Sequence, residues 1–214
     1  MPSITRWATT VEASVTAIRK AGATSQMILL PGSDYTSAAS FVPDGSLAAL
    51  SKVTNLDGST TNLIFDVHKY VDTDNSGSHA ECVTDNVGVF TFLAASLRAA
   101  ERQAMLTETG GGNVASCVKY VCQELAYLNA NSDVFLGWTG WSAGAFQSSW
   151  NYILSLIPTK NGNTWTDSCL QRLVLRNRCV LRRRRSKKSM VSERTVWSGC
   201  DPMCPSFNGL VVQF

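Results

Sequence analysis

The sequence QAMLTETGGGN spans residues 103–113 and has the pattern of a strand that ends at an acid. Residues 103–107 are short and mostly apolar, as expected of a buried strand, and the three glycines after Glu108 let the chain turn away abruptly. In a barrel of alternating strands and helices, catalytic groups lie at the carboxyl ends of strands, so Glu108 is a candidate catalytic acid. The alternative from position alone is a solvated loop glutamate, because acids followed by glycine are common in turns.

Three further apolar runs predict strands on either side of this stretch. Residues 26–30 are too short for a helix and typical of a strand buried on both faces. Residues 62–70, NLIFDVHKY, predict a strand with His68 and Tyr70 on the same face near its end. Residues 134–141 predict the last strand.

Helical periodicity fills the intervals between these strands. Apolar residues recur at helical spacing in residues 3–22, in a short stretch at 47–53 and in 114–128, and Leu93 and Leu97 mark another helix. Strands that alternate with helices predict an α/β protein with a parallel sheet, either doubly wound or part of a barrel. A whole barrel takes ~250 residues, so about four strand–helix units correspond to roughly half of one.

Composition divides the chain into two parts. Residues 171–214 hold 10 of the 19 Lys and Arg but only 2 of the 16 Asp and Glu, which leaves 9 basic and 14 acidic residues elsewhere. The overall charge of +3 therefore does not predict a nucleic-acid partner for the body of the protein. No apolar run approaches the ~20 residues needed to span a bilayer, and residues 1–20 lack a signal-peptide pattern. We expect neither a membrane nor a nucleic-acid partner.

Residues 169–214 form a basic tail that we separate from a domain of residues 1–168. No helical or strand period persists in the tail, and we expect little stable structure there. Residues 182–188, RRRRSKK, could be a nuclear address or an RNA-binding patch, but a run of charge is usually a solvated segment. A shifted reading frame or a retained intron would also produce such a change in composition.

Two of the 7 cysteines, Cys117 and Cys122, lie five residues apart on the helix predicted at 114–128. Five steps leave their side chains on divergent faces, so they cannot pair with each other. Cys82 and Cys169 are the available partners, and such pairings would require an oxidising compartment. Buried free thiols are the alternative.

Other motifs do not support a cofactor or a metal. Cys200 and Cys204 have ligand-like spacing, but no histidine lies in the tail, so a zinc site is not predicted. The glycines at 110–112 match neither nucleotide-binding pattern, and there is no Gly-x-Ser-x-Gly of a serine hydrolase. The chemistry that remains is that of carboxylates.

Three motifs carry a resemblance to a known family: IFDVHKY at 64–70, LTETGGGN at 106–113 and GWTGWSAG at 137–144. In order and spacing they resemble fungal secreted endo-β-1,4-glucanases of glycoside hydrolase family 5, over roughly residues 1–167. The resemblance implies the last four units of a (β/α)8 TIM barrel, an extracellular location, no cofactor, and β-glucan as the substrate. The cysteine positions also match, which implies the pairs Cys82–Cys117 and Cys122–Cys169.

The resemblance also implies site residues. The family retains anomeric configuration with two glutamates, and Glu108 matches the nucleophile. His68 and Tyr70 match a pair that orients this nucleophile and contacts the sugar. Trp141 matches a tryptophan that receives a glucose ring. The weaker subsite candidates, which are equally consistent with core positions, are Trp138 and Tyr35.

The chain departs from the family in one respect. The family's acid/base glutamate belongs to an Asn-Glu-Pro motif, and the 214 residues do not contain this motif. Glu12 cannot replace it, because it lies within the first predicted helix, on the outer ring of a barrel. We therefore expect a fragment of the catalytic domain that is inactive without the N-terminal half. The alternatives are a non-catalytic glucan-binding half barrel and a protein whose basic tail binds nucleic acid.

Overall fold

The computed structural model describes residues 3–112 and 114–141, so the predicted tail and the boundary before residue 169 lie outside the described residues. Helices and strands alternate: α1 (Ile4–Lys20), β1 (Ile28–Pro31), α2 (Ser46–Leu50), β2 (Leu63–His68), α3 (Val87–Ala99), β3 (Ala104–Thr109), α4 (Ala115–Ala130) and β4 (Phe135–Gly140). A short 3₁₀ turn, Asp34–Thr36, follows β1. Within the described ranges, no helix has both the length and the apolar character needed to cross a membrane.

The four strands form one parallel sheet in the order β1-β2-β3-β4, so every strand pairs with the next one along the chain. The predicted parallel α/β sheet is therefore confirmed. A doubly wound sheet reverses its strand order at a switch point, whereas successive strands of a barrel do not. The observed order is that of a barrel segment.

The first helix is fixed at both ends. Ser3 caps its start by accepting a hydrogen bond from the backbone N–H of Arg6 at 3.4 Å, and Arg19 and Lys20 in its last turn complement the helix dipole. The indole Nε1 of Trp7 donates to the carbonyl of Pro31 at 2.7 Å, which joins α1 to the end of β1.

The core lies between the sheet and its helices and is centred on large aromatic and aliphatic side chains. The rings of Phe41 and Phe65 lie 5.3 Å apart, and the guanidinium of Arg102 lies 4.4 Å above the Phe65 ring. The same guanidinium donates to the carbonyls of Ser51 and Leu63, both at 3.2 Å, so this buried cation is hydrogen-bonded on two sides.

The prediction that the first strand is buried on both faces was wrong. Leu30 is fully buried, but Leu29 is 39% exposed and Met27, just before the strand, is 59% exposed. The reason is topological: β1 is an edge of the described sheet and pairs only with β2. The other predicted strands and helices occur near their expected positions, with shifted ends.

Candidate active site

A cleft of about 850 Å³ opens at the carboxyl ends of β1, β2 and β3. It is lined by the loop after β1, by the end of β2 and the loop that follows it, and by Glu108 from β3. This is the edge of a parallel sheet at which a barrel carries its catalytic residues. The cleft therefore lies where the sequence placed the candidate acid.

Glu108 is the centre of the contacts in this cleft. The hydroxyl of Tyr70 donates to Glu108 Oε1 at 2.6 Å, and His68 Nδ1 lies 3.4 Å from Glu108 Oε2. The backbone N–H of Lys69 donates to the Glu108 carbonyl at 3.0 Å. The Glu108 carboxylate is therefore contacted on both oxygens. Its side chain is still 29% exposed, so it remains open to the cleft.

Tyr70 reaches Glu108 from a loop, since β2 ends at His68 and the β2–β3 register is irregular between Val67 and His68. The predicted strand to residue 70 was therefore too long. Burial, and then the hydrogen bond to Glu108, raise the pKa of the Tyr70 phenol far above its ordinary value. Tyr70 consequently stays protonated and acts as a hydrogen-bond donor to the carboxylate.

Asp66 is a member of the site that the sequence reasoning did not single out. Its Oδ1 lies 3.6 Å from His68 Nε2 and accepts a hydrogen bond from the hydroxyl of Thr107. The His68 ring thus lies between the carboxylates of Asp66 and Glu108. The available signal was the spacing, because residues two apart on a strand share a face and Asp66 precedes His68 by two.

Tyr35 stands on the rim of the cleft with 85% of its surface exposed, which excludes the core alternative for this residue. Asp34, Tyr35 and Thr36 all have left-handed backbone conformations, with φ between 51° and 54°. Such φ values are rare outside glycine and cost free energy unless the surroundings hold them. Thr36 is that anchor, since its hydroxyl accepts from Gly32 N at 2.9 Å and donates to the Asp66 carbonyl at 2.5 Å.

The two tryptophans lie in and after β4. Trp138 is part of the strand and packs against the hydrophobic core, which favours the core alternative for it. Trp141 directly follows β4, and its backbone N–H donates to the Thr109 carbonyl at 2.8 Å. The residue matched to a sugar platform is therefore attached to the end of the strand that carries Glu108.

The glycines after Glu108 pack against a disulfide. Cys82 and Cys117 are bonded, with their Cα atoms 4.9 Å apart, and this bond joins the loop after β2 to α4. A Cβ on Gly111 would lie 2.7 Å from Cys82 Sγ, and one on Gly112 would lie 2.2 Å from the Ala80 carbonyl oxygen. The glycine run thus allows close approach of two chain segments. Cys169, the partner predicted for Cys122, lies outside the described residues.

Gly112→Ala should therefore destabilise the protein by about 2 kcal/mol or more, because the neighbouring atom belongs to backbone and cannot rotate away. Gly88→Ala is the matched control, since an added Cβ there meets nothing within 4 Å. Urea unfolding of the parent and of both variants measures the change in the free energy of unfolding that each substitution causes. Equal free energies of unfolding for the two variants would contradict this account of the turn.

Glu124 is a second carboxylate that the sequence reasoning missed. It lies on the buried side of α4 with no exposed surface, at a spacing shared with Val121 and Leu128. A charged residue on the apolar stripe of a helix was the signal that could have revealed it. Burial raises the pKa of this carboxyl from 4.5 to about 7.

This pKa shift predicts a pH dependence of stability. Between these two pKa values the folded protein keeps a proton on Glu124 that the unfolded chain has lost, so stability falls as the pH rises through this range. The loss is on the order of 3 kcal/mol once the pH exceeds the folded pKa. Glu124→Gln carries no such proton, so its unfolding free energy should not show this loss. Urea unfolding of both proteins between pH 5 and 8 measures this difference. The same change in unfolding free energy with pH in parent and variant would contradict the pKa shift of Glu124.

Asp72, Asp74 and His79, in the loop after β2, bring donor atoms of metal-ligand type within 4.8 Å of one another. These donors already contact each other: His79 Nδ1 lies 3.2 Å from Asp72 Oδ2 and 3.4 Å from Asp74 Oδ1. The backbone N–H groups of Ser78 and His79 also donate to Asp72 Oδ2. The cluster orders the loop that forms one wall of the cleft.

A parallel strand–helix sheet with a carboxylate held by histidine and tyrosine at its carboxyl edge has the architecture of a barrel enzyme. The chain belongs to glycoside hydrolase family 5, since the family model described as Cellulase (glycosyl hydrolase family 5) matches residues 2–144.

Comparison with related proteins supports this family assignment. Endoglucanase EG-II of Hypocrea jecorina is 63% identical over 169 residues, which are 78% of this chain and 40% of that protein. The manganese dependent endoglucanase Eg5A of Phanerodontia chrysosporium is 46% identical, over 78% of this chain and 44% of that protein. The chain thus spans about two-fifths of the length of these relatives.

Solved structures show the same fold. The crystal structure of Cel5A (EG2) from Hypocrea jecorina matches with a TM-score of 0.73 and 58% identity, covering 78% of this chain and 52% of that one. XacCel5A in complex with cellopentaose matches with a TM-score of 0.68 and 29% identity, covering 78% of this chain and 55% of that one. The described sheet is therefore part of a (β/α)8 barrel.

Proposed function

We propose that this chain carries the nucleophile side of a retaining endo-β-1,4-glucanase that acts on cellulose or a related β-glucan. The observation that carries the proposal is the Glu108 carboxylate, which accepts from the Tyr70 hydroxyl at 2.6 Å, lies 3.4 Å from His68 and faces an open cleft. The names of the related endoglucanases, and the cellopentaose bound by XacCel5A, support the substrate class.

In this proposal Glu108 attacks the anomeric carbon of a glucosyl unit in the cleft. A bond forms between a Glu108 oxygen and that carbon while the glycosidic bond breaks, and the departing oxygen takes a proton from an acid. Water later displaces Glu108, which restores the original configuration. Tyr70 holds Oε1 throughout, so Oε2, on the His68 side, is the oxygen that attacks.

This mechanism also needs a proton donor. The 214 residues contain no Asn-Glu-Pro, so no motif within them identifies that donor. We propose that a segment outside these residues supplies the acid/base glutamate and completes the barrel. The non-catalytic glucan-binding half barrel is the alternative. The tail that could bind nucleic acid lies outside the described residues.

Aromatic residues and the disulfide support the rest of the proposal. Tyr35 on the rim and Trp141 after β4 would each stack on a glucose ring, because pyranose C–H groups pack well on aromatic faces. The disulfide between Cys82 and Cys117 fits a protein that folds in an oxidising compartment and is secreted.

A hybrid enzyme tests this function. It joins the part of Hypocrea jecorina endoglucanase EG-II that precedes its matched segment to the full 214-residue chain. We expect this hybrid to hydrolyse carboxymethylcellulose and, by proton NMR, to release products that first appear as the β-anomer. A folded hybrid that binds cello-oligosaccharides without cleaving them would favour the glucan-binding alternative, and first release of the α-anomer would contradict a retaining mechanism.

A further inference from the structure

Behind the cleft, Glu124 accepts two hydrogen bonds from different parts of the fold. The hydroxyl of Thr109 donates to Glu124 Oε1 at 2.8 Å, and Asn86 Nδ2 donates to Glu124 Oε2 at 2.7 Å. All three side chains are buried, with 5% or less of their surface exposed. A helix, a strand end and the residue before α3 therefore meet at one carboxyl group.

These contacts close a ring that includes the candidate nucleophile. Asn86 Nδ2 also donates to the Tyr70 carbonyl at 3.0 Å, and the Tyr70 hydroxyl donates to Glu108 Oε1 at 2.6 Å. Glu108 is covalently joined to Thr109, which returns the ring to Glu124. Glu124 therefore contacts both arms of this ring, Asn86 on the Tyr70 side and Thr109 on the Glu108 side.

We propose that Glu124 is a positioning residue, which holds Thr109 and Asn86 so that Tyr70 stays hydrogen-bonded to Glu108. This inference rests on the proposed function of Glu108 as the nucleophile. Glu124 itself does not touch the cleft, since its side chain has no exposed surface.

Packing alone does not account for an acid at this position. The neighbours on the buried side of α4 are the apolar residues Val121, Leu125 and Leu128, and a leucine would avoid the cost of desolvating a carboxyl group. Of the charged groups around it, Lys69 favours the ionised form of Glu124 and Asp85 opposes it. The ionised carboxylate accepts from both Asn86 and Thr109. The neutral carboxyl group can donate its proton to the Thr109 hydroxyl and still accept from Asn86, because a hydroxyl can either donate or accept.

Two substitutions in the hybrid enzyme separate hydrogen bonding from volume. Glu124→Leu keeps the volume and removes both acceptors, and we expect kcat to fall about 10- to 100-fold with KM changed less than about threefold. Glu124→Gln should keep kcat within about threefold, because its oxygen accepts from Asn86 and the Thr109 hydroxyl reverses its role. A similar loss in both variants, or none in Glu124→Leu, would overturn the proposal.

A double-mutant cycle with Tyr70→Phe tests whether Glu124 acts through Tyr70. In the Tyr70→Phe background, Glu124→Leu should lower kcat by less than about threefold, since the hydrogen bond that it positions is already absent. The same loss in both backgrounds would mean that Glu124 is merely structural. If Glu124→Leu does not fold, Thr109→Val replaces it in the cycle, with the same two outcomes.

Crystal structures of the parent hybrid and of Glu124→Leu, or of Thr109→Val in its place, give a readout that does not depend on activity. We expect the Tyr70–Glu108 distance to exceed hydrogen-bond range in the variant, and an unchanged 2.6 Å would overturn the positioning role. A folded hybrid without turnover would count against the proposed function, while the crystal structures would still decide the role of Glu124.

Discussion

Glu108→Gln in the hybrid enzyme should reduce turnover of carboxymethylcellulose by roughly 10⁴-fold or more, because an amide cannot form the glycosyl–enzyme bond. Glutamine has nearly the same shape, and its carbonyl oxygen can still accept from the Tyr70 hydroxyl, so the cleft should keep its form. Binding of cellopentaose, measured by calorimetry, should therefore persist. Kinetics of reducing-sugar release by the purified variant measure the loss.

The controls for this result are substitutions of neighbours that do not react. His68→Ala removes a group 3.4 Å from Glu108 Oε2 and should impair positioning, and Trp141→Ala should weaken sugar stacking. Both variants should retain more activity than Glu108→Gln. If Glu108→Gln kept more than a few per cent of the parental activity, the nucleophile would have to lie elsewhere.

The second large effect concerns the 214 residues expressed by themselves, which we expect to be essentially inactive on carboxymethylcellulose. In our proposal the acid lies outside these residues, so the alkoxide would have to leave unprotonated, and general acid catalysis typically contributes ~10²- to 10⁴-fold. The β1 edge, with Leu29 39% exposed and Met27 59% exposed, should also favour association. Size-exclusion chromatography and reducing-sugar assays measure the two properties separately.

A dinitrophenyl cellobioside distinguishes a missing acid from a misfolded site. Its phenolate leaves without a proton, so a folded chain with Glu108 in place should cleave this substrate faster, relative to the hybrid, than it cleaves carboxymethylcellulose. Release of reducing sugar from carboxymethylcellulose at the rate of the hybrid would contradict the account, because a carboxylate within the 214 residues would then supply the proton.

Much of the fold could be predicted from the sequence because its signals are local. Short apolar runs between amphipathic helices indicate a parallel sheet, and residues 62–70 and 103–113 place His68 and Glu108 at the same edge. The quoted motifs then gave the family. The inferences about the sheet and its edge need only periodicity and strand ends, which neighbouring residues determine.

The remaining features depend on residues that are distant in sequence. The contacts of Glu124 involve partners 15 and 38 residues away, so no local pattern describes them. The left-handed conformation of Tyr35 depends on the hydrogen bond from Thr36 to Asp66, 30 residues along the chain. The exposure of β1 follows from its place at the sheet edge, which an apolar run does not reveal.

The proposed role of Glu108 as the nucleophile is tested most directly by trapping the covalent intermediate. We would treat the hybrid enzyme with a 2-deoxy-2-fluoro-cellobioside that carries a dinitrophenyl leaving group, digest it with trypsin, reduce it and analyse it by mass spectrometry. Trypsin should release residues 103–119, QAMLTETGGGNVASCVK, in which Glu108 is the only acidic side chain. The account predicts one fluorocellobiosyl group on this peptide and none in Glu108→Gln. A label on any other peptide, or the same label in Glu108→Gln, would contradict it.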